Sequence, residues 1–283
     1  MDLTVFQLYI AIMDKLDFIK MNGLGNDFVI LDGRDTPTMP DLNQMRAMAD
    51  RKLGIGCDQI IWLEPADERA NIKIRIFNSD GGEVEACGNA SRCIASLIME
   101  EKNSTIAKIE TLGGILVAEK IDDNISIDMG PAYIEWQDIP LSEEMDTLSL
   151  NISEGILKNP VAIGLGNPHA VFFVNDINTI DLKKIGPTIE HHSFYPNRTN
   201  VSIAEILNPN KIRCRVWERG AGLTLACGTG ACATLIAAVR RGLTERKAIV
   251  ELDGGSLEIE WCKDNHVFMS GPTQINFTGT WTT

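Results

Sequence analysis

A chain of 283 residues, 44% hydrophobic and 23% charged, has the makeup of an ordinary globular protein with apolar material for one large core or two small ones. Its formal charge is −13, from 26 basic and 39 acidic residues; a surface this acidic repels phosphate backbones and anionic lipid and argues against nucleic-acid and membrane partners. No stretch reaches the roughly 18–20 apolar residues of a membrane span. Seven cysteines, an odd number with no C-x2-C pair, fit neither a disulfide scaffold nor a zinc site and suit a reducing cytoplasm.

The first stretch, residues 1–12, is partly apolar but has no Lys or Arg ahead of its apolar run and no small-residue cleavage site. It reads as an appendage rather than a secretory signal, with the patterned domain starting at Met13. NIKIRIF (71–77) alternates and predicts a strand. GNASRCIASLIMEEK (88–102) has an apolar stripe at Cys93, Ile94, Leu97 and Ile98 and predicts a helix. TIAKIETL, ILVAEKI and NISIDMG (124–130) read as short strands split by Gly-Gly and Asp-Asp-Asn turns. Residues 133–159, with Pro140, Ser142, Glu143 and Glu144, read as an exposed linker ending at Pro160. Beyond it KIRCRVWE (211–218) predicts a strand and GTGACATLIAAVRR (228–241) a helix, followed by strands AIVELD, SLEIEW and HVFMS. The order predicts an α+β fold, each half being strands, one buried helix, then more strands.

The halves also repeat in sequence. GLGN stands at 23–26 and at 164–167, so Asn26 and Asn167 are 141 apart; Gln59 precedes Asn200 by 141. Cys87 and Cys227, each inside A-C-G, are 140 apart. Gly113-Gly114, Asp123-Asn124 and Gly130-Pro131 recur at 254–255, 264–265 and 271–272. Matches in order over 23–131 and 164–272 imply two homologous halves of about 110 residues.

Both A-C-G motifs fall where a loop enters an apolar helix. A thiol there faces unsatisfied backbone N–H groups and the positive end of the helix dipole, which predicts a lowered pKa and thiolate character for Cys87 and Cys227. Gly88 and Gly228 let a ligand approach the backbone, Asn89 and Thr229 add polar groups, and a substrate carboxylate suits the N–H groups of both turns. Two such thiols related by a pseudo-two-fold axis can serve opposite faces of one planar carbanion, one as base and one as acid, which inverts a stereocentre. Neither a nucleotide-binding glycine loop nor a metal-ligand cluster is visible, so no cofactor is expected. Cys57, Cys93, Cys214, Cys232 and Cys262 are read as buried core thiols, and His191, His192 and His266 as solvated.

MNGLGNDF (21–28), FNSDGGEVEACGNASRC (77–93), GNPHAV (166–171), PNRTNV (196–201) and ERGAGLTLACGTGACA (218–233) resemble the motifs of the diaminopimelate epimerase family, and the likeness runs from about Lys15 to the C-terminus. The resemblance implies a cytoplasmic homodimer that interconverts L,L- and meso-2,6-diaminoheptanedioate for lysine and peptidoglycan synthesis without pyridoxal phosphate. It implies two pseudo-two-fold related domains, each a mixed sheet wrapped around a central helix, with the active site in the cleft between them. We expect these at 13–132 with 274–283, and at 133–273. Carried over residue by residue, Cys87 and Cys227 are the bases, His169 and Glu218 tune them, and Asn26, Gln59, Asn78, Gly88, Asn89, Asn167, Asn200, Glu218, Arg219, Gly228 and Thr229 bind substrate. These types suit a zwitterion with a second charged end: Arg219 can hold a carboxylate through two hydrogen bonds, Glu218 an ammonium, and the amides both donate and accept. Cys57, Ala90-Ser91 and Leu223 depart from the usual pattern at positions that carry no expected catalytic role.

A proline or hydroxyproline racemase-like enzyme would share the two-thiol logic, but a small cyclic amino acid gives Glu218, Arg219, Asn78 and Asn200 little to bind. A thiol redox protein would leave the paired amides unexplained.

Overall fold

The computed structural model describes residues 15–35 and 38–282. The expected appendage, residues 1–12, and the start at Met13 lie outside them. The chain divides into two compact units. One holds the chain up to Gly23, Asp27–Leu116 and the C-terminal residues from Thr273; the other holds Leu24–Asn26 and Val117–Pro272.

Strand Asn26–Asp32, which belongs to the first unit from Asp27 on, runs parallel to Gln59–Glu64, with Phe28 opposite Gln59. Gln59–Glu64 pairs antiparallel with Ile72–Asn78, which lies parallel to Ile106–Thr111. The second unit repeats the scheme. Pro168–Val174 is parallel to Asn200–Asn208, that strand is antiparallel to Lys211–Glu218, and Lys211–Glu218 is parallel to Lys247–Leu252. The repeat holds at the level of register: Phe28 opposite Gln59 becomes His169 opposite Asn200, each 141 later. Ile76 opposite Val84 becomes Val216 opposite Thr224, each 140 later. Mixed sheets with few helices make each unit α+β, as the element order predicted.

Among the described residues the helices are α1 (Leu42–Ala49), α2 (Gly88–Lys102), α3 (Leu182–Glu190) and α4 (Gly228–Arg240). α2 and α4 match the expected helices, α4 ending one residue earlier. α2 buries Cys93, Ile94 and Ile98 and stops at Asn103, whose left-handed backbone (φ 49°) turns its N–H back to the Glu100 and Met99 carbonyls. α4 is buried without interruption from Gly230 to Ala238. A helix apolar on every side must be surrounded, and strand residues Ile163, Val171, Ile212, Cys214, Val216, Leu257, Ile259 and Met269 pack with it in one core.

Three expectations need correction. Each half has a second helix, not one: α1 and α3 begin at Leu42 and Leu182, 140 apart, and each is capped by the aspartate before it, Asp41 and Asp181. Residues 133–159 are no exposed linker, because Ile139, Leu141, Leu150, Ile152 and Leu157 enter a core with Ala170, Phe172, Val201, Ile203 and Ile189 of α3. The units divide at Leu116 and Val117 rather than at 132, since strand Asn124–Pro131 pairs with His266–Gly271, setting Ile127 opposite Met269. The C-terminal strand Gln274–Thr282 lies antiparallel to Lys15–Gly23 in the first unit.

The first unit contains a partly buried ion network. Lys20 donates to Asp27 (2.7 Å) and to the Gly56 carbonyl, and Arg51 donates to Asp27 (2.7 Å) and Asp58 (2.6 Å). Burial alone would raise the Asp27 carboxyl, but hydrogen bonds from Arg51 and Lys20, with their charges, outweigh it and bring it from 3.8 to about 2. Because the folded value lies below the unfolded one, this stabilisation is fully present above the unfolded pKa and is lost as pH falls through about 2. Lys20→Met should cost about 3 kcal/mol, the low end for removing one partner of a buried pair, because Arg51 remains. The check is a lower urea midpoint together with acid unfolding that starts at higher pH.

Candidate active site

Each unit sets its A-C-G cysteine as the capping residue of its long helix. Cys87 has extended backbone (φ −147°, ψ 111°) ahead of α2, and Cys227 (φ −120°, ψ 111°) stands ahead of α4. The first-turn bonds are alike: Ser91 N–H donates to the Cys87 carbonyl (2.9 Å) and Ala231 N–H to the Cys227 carbonyl (3.0 Å). Gly230 is required at the second of these turns, since a Cβ there would come within 2.9 Å of the Val216 side chain. Cys87 is half-buried and Cys227 buried, and no disulfide joins any of the seven cysteines. Four of the five expected core thiols are buried, with burial holding Cys57 and Cys214 up near about 11 and Cys93 near about 12; Cys262 is half-buried.

In the first unit Gln59 and Asn78 stand opposite each other on neighbouring strands, and Gln59 Nε2 donates to Asn78 Oδ1 (3.0 Å). Gln59 Oε1 is buried without a hydrogen-bond partner in the protein. Asn89, 3% exposed, accepts from Arg92 Nη1 (3.1 Å), so its amide also serves the buried Arg92.

In the second unit the expected residues form a connected chain. His169 Nε2 meets Asn167 Oδ1 (3.0 Å), Asn167 Nδ2 donates to Thr229 Oγ1 (3.3 Å), and Thr229 Oγ1 lies 3.6 Å from Cys227 Sγ. Since Asn167 donates through Nδ2 and accepts at Oδ1, His169 carries its proton on Nε2 and leaves a bare, buried Nδ1. Burial first, then the charge of Arg219, pushes His169 down to about 3, so the ring is neutral and acts without charge. Asn200 donates through Nδ2 to the Pro168 carbonyl (3.0 Å) and accepts the Arg219 N–H (2.9 Å). Thr224 Oγ1 donates to Glu218, and Arg219 Nη1 to the Asn197 carbonyl (3.0 Å). Asn26 falls in the Leu24–Asn26 stretch that belongs to this unit.

Cys227 reverses the expectation of a lowered pKa. Burial, and after it the negative charge of Glu218, hold this thiol well above its usual value; the Thr229 hydroxyl and Gly230 amide pull the other way and lose. The magnitudes explain the outcome. A helix terminus contributes up to about 2 kcal/mol, whereas full burial shifts a pKa by up to about 3–5 units at about 1.4 kcal/mol each. Cys227 is therefore a thiol at neutral pH.

His266 keeps 42% of its side chain exposed, in line with the reading as solvated, while its Nδ1 meets Asp128 at 2.9 Å. Sequence reasoning missed Glu190, a buried carboxylate of α3 that accepts from Trp217 and Gly220 on either side of Glu218 and Arg219. Among the described residues no three His, Cys, Asp or Glu side chains are grouped as a metal would require. No helix among them is long and apolar enough to cross a membrane.

Solved structures share this fold. A PhzF-family phenazine biosynthesis protein of Bacillus anthracis superposes with a TM-score of 0.69 at 14% identity, over 95% of this chain and 99% of that one. A hydroxyproline epimerase from Agrobacterium vitis, with bound trans-4-hydroxy-L-proline, gives 0.66 at 15%, over 95% and 92%. The architecture is thus that of the PhzF and proline-racemase type. The sequence is more specific: the family model for diaminopimelate epimerase matches residues 18–135 and 161–276. Diaminopimelate epimerases of Rhodospirillum centenum and Erythrobacter litoralis are each 51% identical, covering 93% and 94% of this chain and 91% and 97% of their own lengths. The chain belongs to the diaminopimelate epimerase family, and is an isomerase.

Proposed function

We propose that this chain interconverts L,L- and meso-2,6-diaminoheptanedioate without a cofactor, using Cys87 and Cys227 as its two bases. The observation that carries the reading is the repeated placement of a thiol ahead of a buried helix, once in each unit, with expected ligand residues joined by hydrogen bonds. In one direction a thiolate takes the α-proton and the other thiol gives its own to the opposite face of the carbanion, so the pair exchanges protonation states at each turnover. The raised pKa of Cys227 supports its being the acid when Cys87 is the base. The first-turn amides after each cysteine, with Asn89 and Thr229, hold the proximal carboxylate and stabilise the charge that develops on it.

Glu218 touches Cys227, which favours tuning of that thiol over pairing with a distal ammonium. Arg219 is exposed and suits the distal carboxylate. Asn26, Gln59, Asn78, Asn167 and Asn200 supply the remaining polar contacts, and neutral His169 fixes Asn167. We assign the step to lysine and peptidoglycan precursor synthesis in the cytoplasm, and the assembly to a homodimer. Ile275 and Phe277, 47% and 50% exposed on strand Gln274–Thr282, support an apolar subunit contact there.

Purified protein offered L,L-diaminopimelate, L-proline or trans-4-hydroxy-L-proline should turn over only the first. Turnover of a cyclic amino acid in its place would replace this reading with that of a racemase for small substrates.

A further inference from the structure

Glu190 is the last residue of α3 and is 3% exposed. Its carboxylate accepts from the Trp217 indole (Nε1, 2.7 Å), the Gly220 backbone N–H (2.9 Å) and, at 3.4 Å, Arg198 Nη1. Trp217 and Gly220 bracket Glu218 and Arg219. The next amide back along the turn, that of Arg219, is held by Asn200 Oδ1 at 2.9 Å. The Glu190 backbone carbonyl accepts the Thr199 N–H (3.0 Å), immediately before Asn200. One residue thus contacts both segments that supply the expected ligands at this end of the second unit.

Two further facts separate this arrangement from a requirement of the fold. The residues 141 and 140 earlier are Ala49, which ends α1, and Asp50, whose carboxylate is exposed and accepts from the nearby Lys52 and Leu53 N–H groups (2.7 and 2.9 Å). The Ala49 carbonyl accepts the Cys57 N–H at 3.2 Å, and no buried carboxylate stands at this helix end. The architecture therefore forms without a buried acid at this place in one half. Trp217 also packs on the same helix: a Cβ on Gly186 would come within 2.6 Å of the indole, so helix and ring are in van der Waals contact. Gly220 has φ 78° and is exposed, so Glu190 supplies the acceptor for an amide at the surface.

We propose that Glu190 is a positioning residue for the reaction: its buried carboxylate holds the Trp217 indole and the Gly220 amide, and so sets where Glu218 and Arg219 stand. A carboxylate suits this task because it offers acceptors alone, and charge-assisted bonds are the stronger kind. An amide in its place would turn an NH2 group toward one of two donors. The turn would then shift, and the Glu218 carboxylate would leave Cys227. The proposal rests on the reading of Cys227, Glu218 and Arg219 given under the proposed function, and its test includes a readout that needs no substrate.

The test is Glu190→Gln in the full chain, with peptide-resolved iodoacetamide labelling of Cys227 across pH and kcat/KM for diaminopimelate. Glu218 is the charged group in contact with this thiol; His169 is neutral and linked to it through Asn167 and Thr229. Withdrawing the Glu218 charge should move the labelling midpoint down by at least about half a pH unit, with a fall in kcat/KM of about tenfold or more. An unchanged midpoint overturns the proposal even if activity falls, because a purely structural loss would leave the thiol's surroundings intact in the folded fraction. Should Glu190→Gln not fold, hydrogen exchange of the Gly220 amide in 15N-glycine-labelled wild type decides. Marked protection at this exposed residue upholds the bond to Glu190, and exchange at the free-peptide rate overturns it. Wild type that labels as expected but leaves diaminopimelate unchanged would refute the proposed function and not the role of Glu190.

Discussion

Alanine at Cys87 or at Cys227 lowers kcat by about 10²- to 10⁴-fold, the contribution of a positioned acid or base, and leaves the protein folded. Each substitution removes one proton carrier from a reaction that uses both in every turnover, so neither single variant should retain one direction of the interconversion. Alanine is the cleaner replacement, because a serine hydroxyl could still relay a proton. Both thiols stand at the helix entry rather than in the helix body, so the change takes little from the cores around α2 and α4. Turnover from each isomer, with circular dichroism as the control for folding, checks the expectation. A variant within tenfold of wild type would remove that cysteine from the list of essential bases.

Arg219→Met is the second large effect. Arg219 is exposed, its N–H is held by Asn200 and its Nη1 by the Asn197 carbonyl, so the side chain is directed by the site yet open to a ligand. Losing one partner of a hydrogen-bonded charge pair costs about 2–5 kcal/mol, or about 30- to several-thousand-fold in kcat/KM. Lysine, which lacks the distal carboxylate, should be a poor substrate of the wild type and should respond little to the substitution. Wild type as active on lysine or alanine as on diaminopimelate would remove this role from Arg219.

The sequence was most legible where chemistry and repetition coincide. The A-C-G turns, the limits of α2 and the start of α4 could be read because glycines follow each cysteine and apolar residues recur at helical spacing. Helices α1 and α3 were not foreseen. They have eight and nine residues, and α3 carries Pro187 in its interior. A signal was present nonetheless: Asp41 and Gln44 form a capping box, and Asp181 stands 140 residues after Asp41. The segment 133–159 was misread as exposed because its apolar residues follow neither a period of two nor one of 3.6; only the packing of Ile139, Leu150 and Leu157 against distant strands defines it.

Electrostatics were read least well. A helix terminus lowers the pKa of an accessible thiol, but Cys227 is buried beside Glu218, and burial reverses the sign. Glu190 escaped for a related reason. Recurrence marks functional residues that both halves use, and α1 carries no carboxylate to match Glu190. A carboxylate that serves one half alone leaves no mark in a comparison of the two.

The most direct measurement is the first turnovers of L,L-diaminopimelate in D2O, with the two isomers separated and their α-carbon deuterium counted. With two monoprotic thiols, the base that removes the α-proton returns that same proton whenever the carbanion collapses backward, while the opposite thiol delivers a deuteron from solvent. The account therefore predicts one deuterium at the inverted carbon of the meso product and, early in the reaction, none in the remaining L,L substrate. Equal deuterium in both isomers from the start would mean a single exchanging base and would contradict the paired roles of Cys87 and Cys227.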